Sequence, residues 1–246
     1  MPLCELRLPI NSLVEEGKDV CDVALKATLE YLNIPDPEDR EYRIIKVGSS
    51  AEPEIEVHFG TRADQYDQDN LWVPTVDQME DACKQILTQT RAFGIRKVSL
   101  FGWKDAAFMT RPLEKPETEL LVPERFKNGI EVKGDIAIRM IFSPSVLENL
   151  KLDLENNEET FKNILELFKG EGGVDLQFPL EAETEIGVEV DFVDIGDENK
   201  FSPEEMAYLM YRVENCLDLG SASDRSKKTT IWLRQGEPVL FASVGT

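Results

Sequence analysis

The sequence is nearly without histidine, since its 246 residues include one, His58. A zinc site with two or three histidine ligands therefore cannot be built from this chain alone. A Ser-His-Asp or Cys-His catalytic system would have to use that single residue. His58 alternates with Ile55, Val57 and Phe59 along a strand-like segment, so we expect it on the polar, solvent-facing side of that strand.

Glycine-rich loops that hold phosphate are also missing. Gly170, Gly172 and Gly173 follow a predicted helix, whereas a phosphate-binding loop opens one. No apolar run approaches the ~18–20 residues of a membrane-spanning helix, and the charged N-terminal residues lack the apolar centre of a signal peptide. From these absences we expect no metal, no cofactor, no membrane association and a cytoplasmic protein.

The chain has four cysteines and no Cys-x-x-Cys pair. Cys4, Cys21, Cys83 and Cys216 are far apart in sequence, and three of them lie on predicted apolar stripes. This usage is typical of small buried hydrophobic residues in a reducing compartment. No neighbouring histidine or basic cluster supports the alternative, a reactive thiol.

Basic residues are scarce relative to acidic ones. The chain has 27 Lys and Arg against 48 Asp and Glu, so its formal net charge is −21. Direct binding to nucleic acid or to an anionic membrane needs clustered Lys and Arg, so both are disfavoured. At 41% hydrophobic residues, the chain can nevertheless bury a core, which a disordered acidic tail cannot.

The densest acidic segment, residues 181–205, contains ten acids and one base. Within it, Asp191, Asp194, Asp197 and Glu198 form a candidate acidic docking surface for a basic protein partner. Strand alternation and the first turn of a following helix account for part of this charge without any partner. The acids do not have the spacing of an EF-hand calcium loop.

Alternating and helical periodicities predict the order β-α-β-β-α-β for residues 1–109. Strands are predicted at 3–8, 42–47, 54–59 and 97–102. The first helix should begin at Ser12, because Ser12 and Glu15 have capping-box spacing, and the second should begin at Thr75. Gly94 suits the left-handed position that ends the second helix.

Residues 110–129, rich in proline and charge, should connect this unit to a second one over residues 130–246. Further strands are predicted near 136–142, 174–178, 186–192, 229–234 and 238–244. Ser202 followed by Pro203 is a strong helix start. Gln235-Gly236 should turn a C-terminal hairpin between the last two strands.

The sequence therefore predicts an α+β protein made of two tandem β-α-β-β-α-β units. This is the split βαβ, ferredoxin-like order, in which helices cover one face of a mixed or antiparallel sheet. The repeat is one of pattern only, since the order of elements by itself does not establish residue-level similarity between the two halves.

The first 47 residues carry a more specific arrangement. Met1-Pro2 is followed at once by a short strand and an amphipathic helix, and residues 34–40 (Ile-Pro-Asp-Pro-Glu-Asp-Arg) lead into a second strand. This arrangement resembles the tautomerase superfamily, and by topology alone the resemblance extends to about residue 109. The resemblance implies a tautomerase-like unit, removal of Met1 and a free Pro2 amine that acts as general base. It also implies that Arg40 or Arg43 holds a substrate carboxylate.

Three functional hypotheses follow. The first is a non-catalytic intracellular interaction or regulatory protein that binds a protein partner, or further copies of itself, through acidic faces or sheet edges. The alternative is a tautomerase-type isomerase that uses Pro2. The third is an acidic inhibitor that mimics DNA and blocks a nucleic-acid-binding protein.

Overall fold

The computed structural model is a mixed α+β protein, as the sequence predicts, and it divides into two compact units. The first unit comprises Met1–Lys104, Pro179–Glu183 and Pro238–Thr246, and the second comprises Asp105–Phe178 and Thr184–Glu237. The residues that the structure describes are 2–12, 16–34, 40–49, 51–60, 74–104, 106–112, 121–146, 163, 166–168, 171–177, 179–217, 228–238 and 240–246.

The first unit contains six described strands and two described helices. Its strands are β1 (Leu3–Pro9), β2 (Glu41–Val47), β3 (Glu54–Gly60), β4 (Lys97–Trp103), β8 (Glu181–Ala182) and β11 (Leu240–Gly245). Its helices are α1 (Gly17–Leu32) and α2 (Val76–Thr90). The strands form one mixed sheet in the order β11-β4-β3-β1-β2-β8.

The second unit contains five described strands, also in one mixed sheet. They are β5 (Ala106–Pro112), β6 (Asp135–Phe142), β7 (Glu171–Gln177), β9 (Ile186–Val193) and β10 (Lys228–Gln235). Their order is β5-β10-β9-β6-β7. Helix α3 (Pro203–Cys216) contributes Leu209 and Val213 to the hydrophobic core of this unit, where they join buried strand residues such as Val188 and Val190.

Strand alternation separates an apolar from a polar face in each sheet. In the first sheet, Leu6, Val57 and Leu100 are buried in the core that includes Ala24 of α1 and Ile86 of α2. In β1, β2 and β3, the residues that alternate with the core residues lie on the opposite face. They include Glu5 and Arg7 in β1, Glu41 and Arg43 in β2, and Glu54, Glu56 and His58 in β3. Of the predicted site residues of the first unit, this polar face carries Arg43 and His58.

In each sheet, the parallel strands are direct hydrogen-bonded neighbours. In the first unit β1 pairs with β2, and β3 with β4, whereas β1 and β3 are antiparallel. In the second unit β6 pairs with β7, and β9 with β10, and β6 and β9 are antiparallel. Because no strand separates the parallel partners, the split arrangement expected from the sequence is not found in either sheet.

The predicted C-terminal hairpin is wrong. The last two strands belong to different sheets, since β10 pairs with β5 and β9 while β11 pairs with β4. The strand that follows β4, which is β5, pairs with β10 in the same way. Strand β5 therefore follows a strand of the first sheet along the chain but forms an edge of the second sheet. Strand β11 follows a strand of the second sheet but forms an edge of the first. Gly236 still makes a turn with a φ of 71°, but that turn leads β11 away from β10.

Helix starts follow the local chemistry in two of the predicted cases. Thr75 accepts a hydrogen bond from the Gln78 N–H, and Ser202 accepts one from the Glu205 N–H, so α2 and α3 begin with complete capping boxes. Helix α1 instead begins at Gly17 with Glu16 before it and without a side-chain cap, so the predicted start at Ser12 is wrong. Its predicted partner Glu15 lies outside the described residues.

Other predicted features fall partly outside the described residues, namely Met1 and residues 35–39 of the N-terminal arrangement, residues 113–120 of the connection, Gly170, and Phe178 and Val239 of two predicted strands. The described start of that connection, residues 110–112, belongs to β5. No helix in the described part of the chain is both long and apolar enough to span a membrane.

Candidate functional site

Pro2 lies at the start of the central strand β1 and is buried. Its carbonyl accepts a hydrogen bond from the Glu41 N–H at 3.2 Å, and the parallel register that follows pairs Leu3 with Glu41. Arg40 directly precedes Glu41, so its backbone lies beside Pro2 at the same end of the sheet. The half-buried Arg40 is the candidate arginine that the fold brings to Pro2.

Arg43, the other candidate arginine, is held by carboxylates. Its side chain is 1% exposed, its Nε donates to Glu41 Oε1 at 2.9 Å, and its Nη1 donates to Glu5 Oε1 at 3.4 Å. A buried guanidinium that already has two carboxylate partners is stabilised as part of the sheet. This geometry does not direct Arg43 toward an incoming substrate carboxylate.

His58 lies on the polar face, as predicted, but it is 9% exposed, so the expectation that it faces solvent is wrong. The Trp103 indole N–H donates to His58 Nδ1 at 3.3 Å, and the imidazole stacks on the Phe101 ring with centroids 4.5 Å apart. His58 Nε2 lies 3.8 Å from Glu56 Oε2. Because Nδ1 accepts from the indole, a neutral His58 carries its proton on Nε2, toward Glu56.

Glu56 is the anionic centre of this group. Burial opposes its ionisation, but the nearby His58 imidazole and the charge and hydrogen bond of Arg7 outweigh burial and lower the pKa of Glu56 to about 2. Arg7 Nη1 contacts Glu56 Oε1 at 2.7 Å. Glu56 is therefore a carboxylate throughout the neutral pH range, which suits it to hold a cation and not to donate a proton.

The second sheet has a related group on its polar face. The 5%-exposed Arg234 side chain donates from Nη2 to Asp191 Oδ2 and to Glu189 Oε2, both at 2.9 Å, and its Nε contacts Asp191 Oδ1. Arg139 Nη1 also reaches Glu189 Oε2, at 3.3 Å. Asp191, predicted as part of the acidic docking surface, is thus neutralised inside its own sheet.

The two units share a short sequence at this place. Residues 56–59 of β3 are Glu-Val-His-Phe and residues 189–192 of β9 are Glu-Val-Asp-Phe. In both, the glutamate binds an arginine of the adjacent antiparallel strand, Arg7 or Arg139. Sequence reasoning missed this repeat, although two tetrapeptides that differ at one position were the signal for it.

The third residue of the repeat differs between the units, and so does its neighbour. His58 is in register with Phe101 of β4, while Asp191 is in register with Arg234 of β10. The first unit therefore has a stacked imidazole and phenyl ring where the second has an ion pair. Sequence reasoning also missed Trp103 and Arg234 as partners, because each lies far along the chain from the residue that it contacts.

The remaining predicted docking residues lie where β9 ends. Asp194 is exposed and adopts a left-handed conformation with a φ of 53°, and Glu198 is exposed as well. The Asp197 side chain is 93% exposed and forms a 3.0 Å ion pair with Lys200. An exposed pair of this kind is worth less than about 1 kcal/mol and leaves the carboxylate open to other cations.

Cys4 and Cys83 are not activated thiols. Cys4, Cys21 and Cys83 are buried and Cys216 is half-buried. The hydrogen bond between Cys4 and Cys21 and, as the second cause, the burial of Cys4 raise the pKa of the Cys4 thiol. Burial raises the pKa of Cys83 to about 12. Thiols with raised pKa values are poor nucleophiles at neutral pH. Among the described residues, no group of three or more His, Cys, Asp and Glu side chains is arranged to hold a metal ion.

Comparison with models of protein families, with curated protein sequences and with solved structures finds no match to this chain.

Proposed function

We propose that this chain is a non-catalytic interaction protein that binds a cationic protein partner. The binding surface is an acidic turn, defined here as Asp194, Asp197 and Glu198. All three are exposed and follow one strand, β9, within five residues. This clustering of exposed carboxylates is the observation that carries the proposal.

The distribution of arginine supports it. Arg7, Arg43, Arg139 and Arg234 are all engaged by carboxylates on the two sheets. Cations used in this way cannot neutralise acids elsewhere, and the chain as a whole carries a net charge of −21. This negative net charge speeds encounter of the chain with a basic partner.

A charge-matched pair of triple variants tests this proposal. Asp194→Asn, Asp197→Asn and Glu198→Gln together remove three charges from the acidic turn, and poly-L-lysine is the probe in calorimetric titration. We expect affinity to fall at least about tenfold, and the wild-type affinity to fall steeply with added salt because the contacts are exposed charges.

The control removes the same number of charges from exposed positions on α2, by Asp77→Asn, Glu80→Gln and Asp81→Asn. Both sets include one acid that pairs with a lysine three residues on, Lys200 or Lys84. Equal losses in the two triple variants would mean that net charge alone drives binding and would reject the acidic turn. Displacement of DNA from a basic protein by the wild type would favour the DNA-mimic hypothesis instead.

As a second candidate function we propose a tautomerase-type isomerase, because Pro2 and Arg40 lie side by side at one end of the first sheet. In this mechanism the Pro2 amine would take a proton from the substrate and return it to another atom, while Arg40 would hold the substrate carboxylate. Adjacent parallel strands around α1 and α2 agree with the pairing of two β-α-β units in the family that the N-terminal region resembles.

Intact mass and keto–enol turnover of phenylpyruvate test this second candidate. The mechanism needs a free Pro2 amine, so a mass that includes Met1 would rule it out. Pro2→Ala should abolish turnover, while Pro9→Ala, at the other end of β1, should preserve it. Arg40→Gln should raise KM, whereas Arg43→Gln should lower stability through Glu5 and Glu41.

A further inference from the structure

The two sheets have four edge strands among the described residues, and three of these are protected. Strand β8 is two residues long. Strand β5 ends in Arg111 and Pro112, and β7 contains Glu171 and Asp175. Short length, proline and charge are the devices that prevent edge strands from pairing with other chains.

Strand β11 has none of these devices. Its sequence, Leu-Phe-Ala-Ser-Val-Gly, contains no charge and no proline in a chain of which 30% of residues are charged. It is six residues long, regularly paired with β4, and at the end of the sheet order. Phe241 is 54% exposed, and Ser243 and Gly245 are exposed as well.

The inner side of β11 is firmly held. Ala242 is 4% exposed in the first core, and the Cys83 thiol donates to its carbonyl at 3.5 Å. The hydroxyls of Ser243 and Ser99 are 3.0 Å apart, and the Phe241 and Phe101 rings lie 5.1 Å apart. These contacts hold β11 against β4 and leave its other edge as the outward side.

The direction of the outer hydrogen-bonding groups follows from the register. Thr246 N–H donates to the Arg96 carbonyl at 3.0 Å, one step beyond the pairing of Gly245 with Lys97. In an antiparallel pair, alternate residues point their N–H and C=O groups toward the partner. The N–H groups of Phe241, Ser243 and Gly245 therefore point away from β4, toward the side on which no described strand pairs with β11.

We propose that β11 pairs antiparallel with β11 of a second copy of this chain, which joins two first sheets edge to edge. A self-pairing strand places its own residues opposite one another, and like charges would then repel. The neutral sequence of β11 avoids this repulsion, although each whole chain carries −21. The proposal is independent of the acidic turn and of Pro2.

Salt dependence distinguishes this contact from the proposed binding by the acidic turn. Two copies of the same acidic chain repel each other at long range, and added salt screens that repulsion. Dimerisation through neutral backbone groups should therefore strengthen as salt rises, while binding of poly-L-lysine should weaken. One can fail without the other.

Sedimentation equilibrium of the full chain over a range of concentrations, at low and high salt, is the test. Ser243→Pro removes an outward N–H and keeps the hydrogen bonds to β4, because proline is tolerated where an edge N–H faces outward. Loss of the symmetric bonds should weaken the dimer at least about tenfold. Ser243→Ala, which removes the hydroxyl alone, should dimerise like the wild type.

An unchanged circular dichroism spectrum and an unchanged rate of Cys83 labelling by thiol reagents establish that Ser243→Pro is folded. If it does not fold, Ser243→Asp takes its place, because two aspartates brought together at the edge repel. A wild type that stays monomeric at every concentration and salt overturns the proposal. So does a folded Ser243→Pro or Ser243→Asp variant that dimerises as tightly as Ser243→Ala.

Discussion

Arginine side chains pair with carboxylates on the polar faces of the two sheets. Glu56 and Glu189 occupy the same position of the repeated tetrapeptide, and each is met by an arginine from the neighbouring strand. Removing one partner of such a pair leaves the other charge partly desolvated, which costs more than the pair itself contributes. The polar faces therefore tolerate charge because Arg7, Arg43, Arg139 and Arg234 each have a carboxylate partner.

The lowered pKa of Glu56 makes a prediction about stability and pH. A carboxyl whose pKa is lower in the folded than in the unfolded state stabilises the fold above its ordinary pKa, and this contribution is lost as pH falls toward the folded value. From an ordinary value of 4.5 to about 2, the contribution is at most about 3 kcal/mol. Urea unfolding at several pH values between these limits and neutrality measures it.

Glu56→Gln should be less stable than the wild type at neutral pH, and the difference should shrink as pH falls through that window. Glu52→Gln, at an exposed position, is the control and should follow the wild-type curve. A gap between Glu56→Gln and the wild type that stayed constant with pH would mean that folding does not lower the pKa of Glu56.

At the scale of elements, Gly134, directly before β6, allows the chain to pass close to the end of β9. Gly134 has a φ of 145°, and a Cβ there would lie 2.5 Å from the Val193 carbonyl oxygen at the end of β9. Backbone atoms of a paired strand cannot move aside as a flexible side chain can. The close approach of these two strands therefore depends on the absence of a side chain.

Gly134→Ala should destabilise the second unit by about 2–4 kcal/mol, through overpacking and a strained backbone. Gly48→Ala is the matched control, because a Cβ at Gly48 meets nothing within 4 Å. Thermal and urea unfolding of both variants measure the difference. Equal stability of the two would show that β6 and β9 can separate at this point without cost.

At the scale of the whole molecule, β5 pairs in the second sheet and β11 in the first. This pairing leads to a prediction that differs from the one for a C-terminal hairpin. Ala242 is buried in the core of the first unit, whereas a hairpin would place it in the second. A charge at this position should therefore disturb the first unit. Cys83 and Cys216 report on the first and the second unit, respectively.

Ala242→Asp should accelerate labelling of Cys83 by a thiol reagent at least about tenfold, because opening of that core becomes more frequent. Cys216 should react at the wild-type rate. Ser243→Asp is the control, since Ser243 is exposed on the other face of the same strand, and it should leave both rates unchanged. Faster labelling of Cys216 alone in Ala242→Asp would support the hairpin.

Local chemistry predicted much of this fold. The strands β1, β2, β3, β4, β6 and β9 were predicted within about two residues, because alternation depends on near neighbours. The caps at Thr75 and Ser202 and the left-handed Gly94 also follow from residues within one turn. The start of α1 did not, because a capping box at Ser12 required the chain to turn helical four residues earlier than it does.

What the sequence by itself determined is the class of the protein, its elements and the acidic character of both halves. Only the tertiary structure decided which strands pair, because β11 has the same alternating sequence whether it adjoins β10 or β4. It also decided that His58 is buried between Trp103 and Glu56, and that Arg234 neutralises Asp191. Contacts between residues far apart in the chain depend on strand register, and register is a property of the assembled sheet.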